Sequence, residues 1–322
     1  MKKSILITGG TGYLGGRLTN KLAELGNYNL FITSHKSPAL YQPWLKKNKI
    51  IKCDILSSKK ITKICESVDI IVHLAALNEI DSLLKPEQAV KTNILATLRL
   101  LNSAKSTRVK RFIYLSTAHV YGKSLKGKVS EETIPKPVHP YAITHKAAED
   151  FILAANDKSL KSVVLRLSNA FGYPAHPYIT RWTLVVNDFC KQAVLNKEIK
   201  LNSPGSQYRD FIPIEDVENA IVHFMHLPNS RLYDGLFNLG GENPLRILDI
   251  ASYVSNRCYK ILGYKPKIIK PTSKENITSE KLDFRIDKLK STDFSLKGDM
   301  NNEIDKTLTF CFNNFKRNNR FI

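Results

Sequence analysis

Residues 5–17, read as ILITGGTGYLGGR, constrain the rest of the chain more than any other stretch. Ile5, Leu6 and Ile7 make a short apolar run of the kind that forms a strand buried on both faces. Gly9, Gly12 and Gly15 then turn the chain into a helix whose apolar residues Leu14, Leu18 and Leu22 recur at helical spacing. Glycine suits this bend for two reasons: it takes positive φ freely, and its bare backbone lets a pyrophosphate sit against the helix N-terminus. A strand, a glycine turn and a helix in this order predict a dinucleotide phosphate site, with Tyr13 and Leu14 on its rim. A Gly-rich turn without a ligand is the plainer account, and the strand and helix on either side weigh against it.

Beyond this turn the first half of the 322-residue chain alternates between strand and helix patterns. Strands are expected at residues 29–33, 50–53, 68–74, 111–116 and 162–167, with helices between them, notably 87–104 and the stretch after Tyr141. Such alternation predicts an α/β fold built on a parallel, doubly wound sheet. Ligands of such sheets lie beyond the carboxyl ends of the strands, where Thr8, Thr33, Asp54, Ala75 and Thr117 fall. The end of the second strand reads Thr33, Ser34, His35, Lys36, with no carboxylate. An acid there would bind a ribose 2′-hydroxyl and repel a 2′-phosphate. Hydroxyls and cations favour NADP(H), with NAD(H) left open and a solvated Lys-rich loop as the plainer account.

Charge bears on partners. Lys and Arg outnumber Asp and Glu by 20, which invites a polyanion such as nucleic acid. The basic residues are spread along the whole chain, so the excess reads as a bulk compositional bias with attraction of an anionic substrate as a by-product, and nucleic acid is not the expected partner. The 5 cysteines, Cys53, Cys65, Cys190, Cys258 and Cys311, have no metal-ligand spacing. They read as reduced thiols of a cytoplasmic protein with no metal site. Met1-Lys2-Lys3 runs straight into a short strand, so no secretory segment is expected, and no apolar run is long enough to span a membrane.

Further motifs follow the glycine turn in order. They are Ser116-Thr117-Ala118-His119-Val120-Tyr121-Gly122, Tyr141, RxxNxxG over 166–172, RDFxxxxD over 209–216 and FNLGG over 237–241. Together with the GxxGxxG spacing they resemble the extended short-chain dehydrogenase/reductase branch, the NAD(P)-dependent nucleotide-sugar epimerases, dehydratases and reductases, over residues 4–241. The resemblance implies a Rossmann-type sheet with a smaller, mixed C-terminal substrate domain. Residues 1–172, joined by 209–241, would hold the dinucleotide, and 173–208 with 242–322 the substrate. Asp54 and Ile55 would lie near the adenine, and Leu74, Ala75 and Ala76 along the coenzyme. Asn93 and Thr97 resemble a motif of the next helix, with a coenzyme contact or a structural role.

By the same resemblance Thr117 hydrogen-bonds the reacting sugar oxygen, and Tyr141 moves the hydroxyl proton as hydride passes to or from the nicotinamide. A phenol ionises near pH 10, so as a base at neutral pH it needs a positive neighbour. The family supplies a lysine four residues on. Here His145 takes that place, and Lys146 comes one residue later, turned about 100° round the helix. His145 is expected to contact the coenzyme ribose and, when protonated, to lower the phenol's pKa. The dehydratases of the branch carry Asp and Glu after the catalytic Thr, where this chain has Ala118 and His119, so a 4,6-dehydratase is disfavoured. His119 is either an acid/base beside a ketone or a shaper of the sugar pocket. Asn169 would contact the sugar nucleotide. Arg181 would open an amphipathic helix over 182–195 that faces the diphosphate. Arg209 would pair with a substrate phosphate or, more plainly, with Asp210 or Asp216.

The implied activity is oxidation or reduction at carbon 4 of a nucleoside-diphosphate sugar, by an epimerase or a 4-keto reductase making surface polysaccharide precursors such as those of lipopolysaccharide. A homodimer through residues 87–104 and 141–156 is implied as well. The competing class is a non-catalytic nucleotide- or RNA-binding protein on the same fold.

Overall fold

The computed structural model describes residues 2–35, 45, 48–271 and 280–316. In chain order the first half runs β1 (Lys3–Thr8), α1 (Tyr13–Leu25), β2 (Tyr28–Ser34), β3 (Lys49–Lys52), α2 (Ser58–Cys65), β4 (Ile70–His73), α3 (Glu79–Leu84), α4 (Pro86–Ala89), a π-helical turn (Val90–Leu95), α5 (Ala96–Lys105) and β5 (Arg111–Thr117). A 3₁₀ turn (Ala118–Tyr121), β6 (Gly127–Val129), α6 (Pro140–Ala154), β7 (Lys161–Leu167) and β8 (Asn169–Phe171) follow. The remainder holds α7 (Val185–Asn196), β9 (Glu198–Lys200), β10 (Tyr208–Pro213), α8 (Ile214–His226), β11 (Leu236–Leu239), β12 (Pro244–Arg246), α9 (Ile247–Leu262), β13 (Lys267–Ile269), β14 (Leu282–Phe284), α10 (Asp287–Lys290) and α11 (Met300–Cys311).

The main sheet has 7 strands in the order β11-β7-β5-β4-β1-β2-β3, every neighbouring pair parallel. Order reverses between β1 and β4, so the crevice for a ligand opens beyond their carboxyl ends. Alternation along β1 explains the layers: Ile5 and Ile7 pack with Leu18 and Leu22 of α1 and Ile221 and Phe224 of α8. Leu6 points to the other face, into the core of Ile61 from α2, Leu100 from α5 and Ile152 from α6. A third core lies between α7, α9 and α11, around Phe171, Phe189, Phe211, Val254 and Leu308. Short pairings tie this part to the rest: β10 lies between β8 and β12, β9 pairs with β13, and β6 pairs with β14.

Two expected helices are redrawn. The one expected over 87–104 is interrupted by the π-helical turn, whose extra residue re-aims the side chains that follow. The one expected from residue 182 begins at Val185, because Leu184 is still extended at ψ 134°. Trp182 instead lies edge-on against Phe315, with ring centroids 5.0 Å apart.

One buried ion pair fixes the helix that carries Tyr141. Arg166 of β7 places Nη2 2.8 Å from Glu149 Oε2 of α6, with both side chains almost wholly shielded from solvent. Ser116 donates to the same carboxylate, and the guanidinium lies over the Tyr121 ring at 4.8 Å. Breaking one partner of such a pair costs about 3–5 kcal/mol, because the other charge is left buried alone. Tethered in this way, α6 holds its first turn against the end of β5.

Candidate active site

A groove of about 680 Å³ runs over the carboxyl ends of β1, β2, β3 and β4. Its floor is the glycine turn. Gly9 sits at φ +69°, and a Cβ there would come within 2.8 Å of Ala75 N. A Cβ on Gly15 would lie 2.1 Å from Gly9 O, so only a bare backbone lets α1 close on the turn. At Gly12 a Cβ would meet only Gly9 O, at 3.1 Å, which leaves that backbone open toward the groove. No acidic residue occupies the first turn of α1, so the positive end of its dipole is uncompensated. A cradle of this shape fits the pyrophosphate of a dinucleotide.

Of the residues expected there, Gly9, Gly12, Tyr13, Leu14, Gly15, His35, Asp54, Ile55, Leu74, Ala75, Ala76 and Tyr141 line the groove. Ser34 is buried at the end of β2, outside the residues that line the groove. Lys36 lies outside the described residues. Asn93 takes the structural one of its two expected roles. It is fully buried, accepts from Leu77 N at 2.7 Å and donates to Thr144 Oγ1 of α6 at 2.9 Å, while Gln88, Thr92 and Ala96 take the groove wall. Thr97 is structural too. It donates to Asn93 O at 2.7 Å and lies 2.8 Å from His73 Nε2, whose Nδ1 lies 2.6 Å from Thr8 Oγ1. This chain pins the ends of β1 and β4 side by side. Burial pushes the His73 imidazole down to about 3, so it stays neutral.

Against the groove lies a pocket of about 230 Å³, lined by Thr117, His119, Tyr141, His145, Asn169 and Arg209 among others. Tyr141 and Arg181 border both cavities. Tyr141 stands in the first turn of α6, whose N-cap His139 accepts from the Tyr141 amide at 3.2 Å. Thr117 ends β5, and its Oγ1 accepts from His119 N at 3.2 Å, which leaves the hydroxyl proton to a ligand. Burial raises the Tyr141 phenol well above its ordinary value; Glu79 raises it further and Arg181 opposes.

His145 departs from its expected charged role. Its Nδ1 lies 2.8 Å from Tyr141 O, so the carbonyl accepts and Nδ1 carries the proton. Burial lowers the imidazole to about 4, and at neutral pH it is uncharged. Lys146 does not replace it, because its ammonium pairs with Asp150 at 2.5 Å along the helix. His119 lines the pocket with its pKa lowered by burial and then by Arg209, so it too is neutral.

Arg209 forms no ion pair with Asp210 or Asp216. Asp210 accepts from Gly241 N at 2.8 Å and Asn243 N at 2.9 Å, and Asp216 accepts from Lys297 N at 2.7 Å and Gly298 N at 2.9 Å. The Arg209 guanidinium donates instead to Asn169 Oδ1 at 3.2 Å, and among the described residues no carboxylate pairs with it. Burial lowers its pKa, as expected of a cation short of counter-charge. Arg181 is paired, with Glu79 at the start of α3. Glu79 was not foreseen, since only the tertiary fold brings α3 over the pocket.

A switch-point groove shaped for a dinucleotide thus meets a pocket that carries Thr117 and Tyr141. The chain belongs to the NAD dependent epimerase/dehydratase family, whose match spans residues 5–240. It is 28% identical to the dTDP-D-glucose 4,6-dehydratase of Dictyostelium discoideum, over 79% of this chain and 62% of that protein, so it spans less than two thirds of that relative. Among solved structures it resembles a UDP-glucuronic acid 4-epimerase from Bacillus cereus in complex with UDP-glucuronic acid and NAD, at TM-score 0.79 and 25% identity, covering 96% of this chain and 98% of that one. A UDP-glucose 4-epimerase from Thermotoga maritima with UDP-glucose shares the fold at TM-score 0.79 and 24% identity, covering 98% and 100%. No described helix is long and apolar enough to cross a membrane.

Proposed function

We propose that this chain oxidises or reduces carbon 4 of a nucleoside-diphosphate sugar, as a 4-epimerase or a 4-keto reductase. The observation that carries this reading is the place of Tyr141, whose side chain borders both the dinucleotide groove and the pocket that holds Thr117, Asn169 and Arg209. A nicotinamide dinucleotide in the groove supplies the hydride acceptor or donor. Tyr141 takes the proton from the sugar hydroxyl or returns it to the ketone, and Thr117 steadies the same oxygen with its free hydroxyl proton. Arg209, half-buried and without a carboxylate, offers a planar fork to the diphosphate, with Asn169 holding it in place. The sugar nucleotides bound by the similar epimerases support this substrate class.

The test is titration with UDP-, dTDP-, GDP- and CDP-sugars while nicotinamide absorbance is followed. At least one sugar changes the absorbance in the wild type and none does in Tyr141→Phe. Turnover surviving in that variant overturns the reading.

His35 supports tolerance of both NAD(H) and NADP(H), because it lies on the groove wall at the end of β2 where no carboxylate stands. Loss of NADPH affinity beyond loss of NADH affinity in His35→Ala checks this. Leu83 and Leu84 of α3, Val90 of the π-helical turn, and Ile143 and Phe151 of α6 are exposed apolar side chains. They support a homodimer through this face, to be checked by the sedimentation of Leu84→Asp/Phe151→Asp. A dinucleotide domain of residues 1–172 with 209–241, a substrate domain from the rest, and cytoplasmic work on polysaccharide precursors complete the proposal.

A further inference from the structure

A buried phenol that exchanges protons near neutral pH needs a positive charge beside it. The groups that face Tyr141 come from several elements: Glu79 from α3, Arg181 from the segment before α7, His145 on its own helix, His119 from the 3₁₀ turn and Tyr114 from β5. Both imidazoles are neutral, and Tyr114 adds only a second phenol. Arg166, paired with Glu149, and Lys146, paired with Asp150 on the Tyr141 helix itself, do not line the pocket. Arg209 and Arg181 do, and of these two Arg181 stands where the pocket meets the groove. It borders both cavities alongside Tyr141, and Glu79, which holds it, borders the pocket.

We propose that the Glu79–Arg181 ion pair controls the charge at Tyr141, so that two elements outside the Tyr141 helix decide the protonation state in which the phenol meets substrate. This rests on Tyr141 as the acid/base of the proposed function. Arg181 favours the phenolate and Glu79 opposes it, so removing either half tips the phenol in a known direction. Both are positioning residues, acting on substrate through Tyr141.

The experiment measures kcat and KM against pH for sugar oxidation, which needs the phenolate, in wild type, Glu79→Gln, Arg181→Gln, Glu79→Asp and Arg181→Lys. Glu79→Gln moves the rising limb of kcat toward acid by about one pH unit, and Arg181→Gln moves it toward base by a similar amount. The conservative variants, which keep the pair, stay near wild type. A second readout needs neither coenzyme nor turnover. Ultraviolet titration of the phenolate band, as the difference between each protein and its Tyr141→Phe counterpart, moves in the same directions. A rise in KM for Arg181→Gln with limb and phenol titration unmoved assigns Arg181 to substrate phosphate and overturns the proposal. If no nucleotide sugar is turned over by the wild type, the proposed function fails, and the phenol titration still decides this inference.

Discussion

The imidazole of His145 packs against the ring of Tyr141 with centroids 4.1 Å apart, while its Nδ1 hydrogen-bonds the carbonyl of the same residue at 2.8 Å. The carbonyl can only accept, so the ring is locked in one tautomer and braces the phenol without charging it. Behind it Tyr114 stacks at 5.9 Å and His73 stacks on Tyr114 at 5.5 Å, a column of rings running back into the sheet.

Placing a charge where that imidazole stands should favour the phenolate. In His145→Lys the rising limb of the sugar-oxidation profile is expected to move toward acid by about one pH unit or more. An unmoved limb, in a variant that still binds coenzyme, would show that the phenol is insulated from this side.

Acid should unfold the protein through the same column. The unfolded chain protonates its histidines near pH 6.5, whereas folded His145 and His73 resist until about 4 and about 3. The unfolded state therefore binds more protons across that window, and stability falls as pH drops from about 6.5 toward 4, by up to about 3 kcal/mol for each ring. Urea midpoints against pH measure this. In His73→Asn the drop should be roughly halved, and an unchanged slope would remove His73 from the account.

Arg166→Met leaves the Glu149 carboxylate buried without its partner, and a loss of about 3–5 kcal/mol is expected from denaturant unfolding. The double variant Arg166→Met/Glu149→Leu should recover most of it. A single-variant loss below about 1 kcal/mol would mean that water reaches the site.

The glycine turn separates two effects. Gly15→Ala forces a Cβ to 2.1 Å from Gly9 O and is expected to lower both thermal stability and coenzyme affinity. Gly12→Ala meets far less protein, so its melting temperature should stay near wild type while coenzyme affinity falls about tenfold, or ~1.4 kcal/mol. Calorimetric titration beside thermal melts distinguishes them.

What could be read from the sequence was what local spacing encodes. Gly9, Gly12 and Gly15 mark a turn whose steric demand is intrinsic, and the strand ends follow from apolar runs, so the parallel, doubly wound sheet was within reach, as was, through the family resemblance, the meeting of Thr117 with Tyr141. Asn93 was not, because a π-helical turn changes the face of a helix without changing its composition. The missing charge on His145 depends on burial by residues distant in the chain, and Glu79 reaches the pocket from an element with no motif of its own. Arg209 lay between, its motif legible and its freedom from Asp210 and Asp216 visible only once their backbone partners were in place.

Tyr13 borders the dinucleotide groove, yet its hydroxyl donates to Gly172 O at 2.8 Å and accepts from Asn187 Nδ2 of α7 at 3.1 Å. The lip of one cavity is thereby riveted to the helix that walls the other. Removing that hydroxyl, as in Tyr13→Phe, would leave Gly172 O and the Asn187 amide without their shared partner at the junction of the two cavities.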